Sequence, residues 1–115
     1  MSEGAGVPRR EPAPVVRRIL ARLIEGCAPR KVVLYGSFAR GAEGPDSDID
    51  MLIVRETAEP FLARQDEARR LASGTHPGIP FEPIVLTPAE VESRLRTGDV
   101  LLRKILREGV VLHDA

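Results

Sequence analysis

Three carboxylates stand within five residues at Asp46-Ser47-Asp48-Ile49-Asp50, directly ahead of the apolar run Met51-Leu52-Ile53-Val54. On an extended strand residues i and i+2 share a face, which sets Asp48 and Asp50 side by side, about 7 Å apart at Cα. Two ionised carboxylates this close repel each other unless a cation lies between them or one takes up a proton. A lone carboxylate against so apolar a stretch is also costly to bury. Magnesium suits such a pair, because it takes one or two carboxylates, keeps several waters and accepts substrate phosphates. The competing reading is an acidic, solvated turn capped by Asp46 or Ser47. That reading fits Asp46 well and Asp50 poorly.

Upstream, the short β-branched run Lys31-Val32-Val33-Leu34-Tyr35 leads straight into Gly36-Ser37. Glycine lets a chain turn tightly and approach a ligand closely. Phe38-Ala39-Arg40 can add one helical turn, whose free N–H groups suit an anion such as phosphate, with Arg40 as a fixed positive charge. Taken alone, Gly-Ser after a strand is commonly just a turn. A third acid, Glu82, lies in Ile79-Pro80-Phe81-Glu82-Pro83-Ile84-Val85-Leu86 and shares a strand face with Ile84 and Leu86. If that strand neighbours the one carrying Asp50, Glu82 reaches the same cation. Otherwise it is an edge acid facing water, since Pro83 cannot donate to a ladder and predicts an edge or a bulge.

The elements that must position these groups follow from periodicity. Val15, Val16, Ile19, Leu20, Leu23 and Ile24 recur at helical spacing and predict a first helix ended by Gly26 and Pro29. Strands are expected over 31–35, 49–54 and 81–86, with a surface helix over 59–73 closed by Gly74. Thr87-Pro88-Ala89-Glu90 reads as a helix start, with Thr as N-cap, Pro at the first position and Glu three residues after the cap. Thr97-Gly98-Asp99 interrupts, Val100, Leu101, Ile105 and Leu106 form a last short helix stopped by Gly109, and 110–112 closes with a small strand. Residues 1–13, rich in Pro and Gly, read as a flexible leader, and 14–115 as one domain of the α/β (α+β) class. It is too short for a six-stranded dinucleotide fold.

Composition excludes several functions. Seventeen basic residues balance seventeen acidic ones, and there are three Phe, one Tyr and no Trp. Neither a strong positive field nor a platform for stacking bases is available, so direct nucleic-acid binding is not expected. The single Cys27 permits no internal disulfide and no Cys/His zinc cluster. No run approaches 18 apolar residues and the N-terminus lacks the apolar core of a signal peptide, so a cytoplasmic protein is expected. The last two helices carry more apolar positions than so small a domain needs, which predicts a homo- or hetero-oligomeric interface. Lys104 and Arg107 there are solvated charges or contacts to phosphate or a partner.

Gly36-Ser37, ten intervening residues and then Asp48-Ile49-Asp50 resembles the signature of the DNA polymerase beta-like nucleotidyltransferase superfamily. The whole stretch GSFARGAEGPDSDID is similar to its minimal nucleotidyltransferase (MNT) branch, as are the preceding helix and the ending LTPAEVESRL…ILREGVVLH. The resemblance covers roughly residues 15–113. It implies a small mixed sheet flanked by helices, with a nucleoside triphosphate at Gly36 and Ser37 beside Arg40. Asp48 and Asp50 are then the catalytic, Mg²⁺-holding acids, with Glu82 at the third carboxylate position. The family more often has Asp there, so Glu82 is a departure that moves the carboxylate by one methylene.

The resemblance further implies transfer of AMP from ATP to a hydroxyl, with pyrophosphate leaving. MNT proteins of this type resemble antitoxins paired with a HEPN toxin, and the acceptor is then a tyrosine on that toxin, supplied as a separate chain. Two alternatives stand beside this one: an antitoxin that neutralises its partner by contact alone, and a subunit of a small-molecule nucleotidyltransferase.

Overall fold

Val15, Val16, Ile19 and Leu23, one stripe of the first amphipathic run, are buried along α1 (Pro14–Cys27). Pro14 opens that helix where its missing N–H is not needed. The structure, a computed structural model, describes residues 11–115, so the first ten residues of the expected 1–13 leader lie outside the described ones. The end of α1 differs from expectation. Gly26 lies inside the helix, and a Cβ there would collide with the Leu71 side chain. It serves the close approach of a helix that follows later in the chain. Ala28 takes the left-handed cap instead, at φ 45° and ψ 60°.

The three expected strands form with the expected bounds: β1 (Lys31–Tyr35), β2 (Ile49–Val54) and β3 (Phe81–Leu86). Between them come α2 (Ser37–Arg40) and α3 (Phe61–Ala72), the latter carrying Leu71 against Gly26. After β3 follow α4 (Pro88–Arg96), α5 (Val100–Glu108) and β4 (Val110–Asp114). The strands make one mixed sheet in the order β3-β2-β1-β4, in which β1 runs antiparallel to both β2 and β4 while β2 and β3 are parallel. The fold is thus the mixed α/β arrangement that the sequence implied. Pro83 is accommodated because β3 is an edge strand.

Alternation along the strands divides the core in two. Val32, Leu34, Ile49, Met51, Ile53, Phe81 and Val85 pack under α1 and α3, whereas Val33, Leu52, Val54 and Leu86 pack with Leu102 and Ile105 of α5. Tyr35, Asp50 and Glu82 have the parity of the second set, so they share the α5 side of the sheet. Among the described residues, no helix is long and apolar enough to cross a membrane.

The turn from β3 into α4 is fixed by charge as well as by capping. Thr87 Oγ1 accepts from the Glu90 N–H at 3.1 Å, and the Thr87 N–H donates to Glu90 Oε1 at 2.8 Å, completing the capping box. Arg64 of α3, buried, donates to both oxygens of the same carboxylate at 2.6 and 3.2 Å and to the Val85 and Glu59 carbonyls. These contacts compensate a guanidinium taken out of water. The hydrogen bond from Arg64, then that from the Thr87 backbone, holds the Glu90 carboxyl below its ordinary value of 4.5.

Glu90→Gln is therefore expected to cost about 1–2 kcal/mol at pH 7, scaled down from a fully buried pair because Glu90 is partly exposed. A carboxyl with a depressed folded value contributes stability above its unfolded value and loses it as pH falls through the folded one. Denaturant melts of wild type and variant should accordingly differ above pH 4.5 and converge below it.

Candidate active site

Register brings the candidate residues of three strands into one row. Asp50 of β2 pairs with Tyr35 of β1 on one side and with Glu82 of β3 on the other. Asp48 stands just before β2 and is exposed, while Asp50 is half-buried. Desolvation, then the charge of Asp48, then that of Glu82, raises the Asp50 carboxyl above its usual range. Tyr35 feels the same field: burial first, then Asp50 and Glu82, push its hydroxyl up to about 12, so it stays protonated at neutral pH. The three acids thus interact through space, and a cation among them would relieve their repulsion.

The loop before them is built around Gly36, with φ 77° and ψ −158°, a region open essentially to glycine alone. A Cβ at this position would lie 2.6 Å from Asp50 Oδ2. The backbone therefore cradles the carboxylate with a fit that any side chain would destroy. The Gly36 carbonyl accepts from the Ala39 and Arg40 N–H groups at 3.1 and 3.3 Å, which starts the single turn of α2 at Ser37. Gly41, at φ 69°, closes it. Further on, Ser47 Oγ accepts from the Gly44 N–H at 2.9 Å while the Ser47 N–H donates to the Gly44 carbonyl at 3.1 Å. Ser47 shapes the turn that delivers Asp48.

Glu82 shares the row but has a partner of its own. Its Oε1 lies 3.5 Å from Arg69 Nη2 on α3, and Arg69 also faces Asp66 at 3.8 Å. Among the described residues, no three His, Cys, Asp or Glu side chains are gathered closely enough to hold a metal ion. Register thus aligns Asp50 with Glu82, while the side-chain positions leave Glu82 on Arg69. The donor chemistry still fits magnesium: Asp48 and Asp50 offer hard oxygens, and Gly36 leaves Asp50 open to close approach. Arg69 was not legible as a site neighbour, because nothing in the spacing of a helix relates it to a residue thirteen positions later on an edge strand.

A cavity of about 200 Å³ opens beside this row. Tyr35 and Gly36 form one wall, Ala39 and Arg40 of α2 another, and Leu101, Lys104, Ile105 and Glu108 of α5 the third. Ser37 is half-exposed at the start of α2 next to it. Gly36, Ser37 and Arg40 therefore occur together at the loop, and the acids meet it through Asp50.

Comparison with known proteins gives the same picture of the fold. The family model of the nucleotidyltransferase domain matches residues 15–112. A crystal structure from Sulfolobus solfataricus, described as a candidate nucleotidyltransferase, superposes with a TM-score of 0.58 at 20% identity, covering 87% of this chain and 78% of that one. The crystal structure of a toxin-antitoxin with AMP-PNP gives a TM-score of 0.62 at 21% identity, with 86% of this chain and 73% of that one covered. At such identities the likeness is one of fold. No curated protein matches the chain at a comparable level.

Gly36→Ala should strain the backbone and displace the Asp50 carboxylate together. The expected cost is about 1–3 kcal/mol in chemical denaturation. Manganese affinity, read by calorimetry, should fall at least tenfold. In metal-free buffer Asp50→Asn should instead raise the thermal midpoint by a few degrees at pH 7. An acid whose folded value is raised weakens the fold once ionised, so that gain should vanish as the pH is lowered through the Asp50 folded value towards 3.8.

Proposed function

The chain belongs to the nucleotidyltransferase domain family, and from that premise we propose that it transfers AMP from ATP to a hydroxyl on a partner protein, a toxin that it neutralises. The observation that carries this reading is the Asp50 carboxylate seated against Gly36, in a row with Glu82 and next to Asp48. Mg²⁺ held by Asp48 and Asp50 would neutralise charge on the triphosphate and acidify the acceptor hydroxyl. The glycine backbone at 36 and the hydroxyl of Ser37 let phosphate oxygens approach, and Arg40 adds positive charge where pyrophosphate departs. In the reaction the acceptor oxygen bonds to the α-phosphorus and the bond from that phosphorus to the pyrophosphate oxygen breaks. The acceptor proton passes to a carboxylate. Asp50 and Glu82 are the two candidates.

The partner assignment rests on the toxin-antitoxin neighbour solved with a nucleotide analogue and on the resemblance to MNT antitoxins. On that basis the acceptor is a tyrosine of a HEPN toxin. One observation favours a second reading, neutralisation by contact without catalysis. Glu82 is engaged by Arg69, and the largely exposed Val100 and Leu101 on α5 offer apolar surface to a partner.

ATP labelled at its α-phosphate, Mg²⁺ and the partner protein separate the two. Catalysis predicts label on the partner that drops at least a hundredfold with Asp48→Ala or Asp50→Ala, whereas neutralisation without label supports contact alone. Glu82→Gln discriminates the proton acceptor. Full activity with unchanged metal binding would assign that role to Asp50.

A further inference from the structure

Only three Lys or Arg side chains among the described residues have neither an ion-pair nor a hydrogen-bond partner: Arg40, Arg70 and Lys104. Two of these three line the same cavity beside Gly36. They come from elements far apart in the chain, Arg40 from the end of α2 and Lys104 from the middle of α5. Both are exposed, and an anion seated in the cavity would meet the two cations together.

We infer that Lys104 is a phosphate-binding residue, acting with Arg40 to hold the terminal phosphates of a nucleoside triphosphate whose α-phosphate lies at Asp50. The inference rests on the nucleotidyl-transfer reading for the identity of the anion. Gly36 joins the two halves, since it lines the cavity and also abuts Asp50 Oδ2. The cavity opens on the α5 side of the sheet, where Tyr35 and Asp50 stand in register. At about 200 Å³ it is smaller than the roughly 300–1,000 Å³ of pockets that hold a whole drug-sized ligand, and it suits phosphates better than an entire nucleotide.

The charges around it favour this orientation. Glu108 also lines the cavity, but its Oε2 lies 3.2 Å from Arg107 Nη2, so its charge is partly compensated. That contact separates two residues of equal standing in the sequence: Arg107 serves Glu108, and Lys104 is left to the cavity. Arg40 borders a second cavity, of about 240 Å³, lined by Glu11, Glu43, Leu34 and Phe38. Its acids disfavour an anion, and Leu34 belongs to the opposite face of the sheet from Asp50.

Calorimetric titration of the full chain with ATP and with AMP, each with Mg²⁺, tests the inference. For Lys104→Ala, ATP affinity should fall about tenfold or more, the usual scale for one charge-assisted contact, while AMP affinity changes less than twofold. Lys104→Arg should recover most of the loss. Arg96→Ala, which removes an equal charge paired with Glu92 on α4, should leave both affinities unchanged. ATP binding by Lys104→Ala within twofold of wild type, or equal losses for ATP and AMP, would overturn the assignment. Wild-type protein that bound no ATP would instead overturn the nucleotidyl-transfer reading beneath it.

Discussion

The half-buried Asp50 carboxylate, with two further acids near it, is the constraint around which the site is arranged. Asp50 is drawn out of water by the sheet and meets the fields of Asp48 and Glu82. Each of these influences disfavours its ionised form, so the folded chain stores unfavourable electrostatic energy at one spot. Such an arrangement persists only when the surrounding structure fixes it more strongly than the charges oppose it. Here the fixing groups are β2, whose Met51, Leu52 and Ile53 are completely buried, and the backbone at Gly36, which fits against Asp50 without room for a side chain.

The rest of the scaffold holds that register. Parallel pairing of β2 with β3 requires a crossover, and α3 supplies it while covering one face of the sheet. A slip of one residue in β3 would turn Glu82 away from Asp50 and drive Phe81 and Val85 out of the core, so the apolar pattern protects the acidic row. Arg64 locks the far end of the crossover by joining α3 to the Val85 carbonyl and to Glu90 at the start of α4. On the other side β1 is paired along both edges from Lys31 to Leu34, and Tyr35 carries the β2 pairing on to Asp50.

Much of this was legible in the chain. Runs such as Lys31–Tyr35 and Ile49–Val54 are bounded by turn residues and have the composition of buried strands, so their limits could be read directly. The Thr87–Glu90 capping box was equally plain, because its chemistry is local. What escaped was non-local. Gly26 looks like a helix stop, yet its role depends on Leu71, forty-five positions away and brought near only by the packing of α1 on α3. Arg64 and Arg69 are ordinary surface-helix residues by spacing, and only the placement of α3 beside β3 gives one to Glu90 and the other to Glu82. Of the site itself, the local signal at Gly36, Asp48 and Asp50 was visible, whereas the alignment of Glu82 depended on which strand β3 would join.

The zero net charge of the chain conceals a polarised surface. Asp48, Asp50 and Glu82 concentrate negative charge at one end of the Gly36 loop, while Arg40 and Lys104 present unpaired positive charge at the other. A metal ion on Asp48 and Asp50 would satisfy the first group, where Glu82 already has Arg69, and phosphate would satisfy the second. A magnesium–triphosphate complex carries both signs in the matching order, with the cation near the reacting phosphate and anionic oxygens beyond it. The complementarity also gives a direction to the proposed reaction. The attacking hydroxyl must approach on the acidic side, where a carboxylate can take its proton, and pyrophosphate must leave towards the cations.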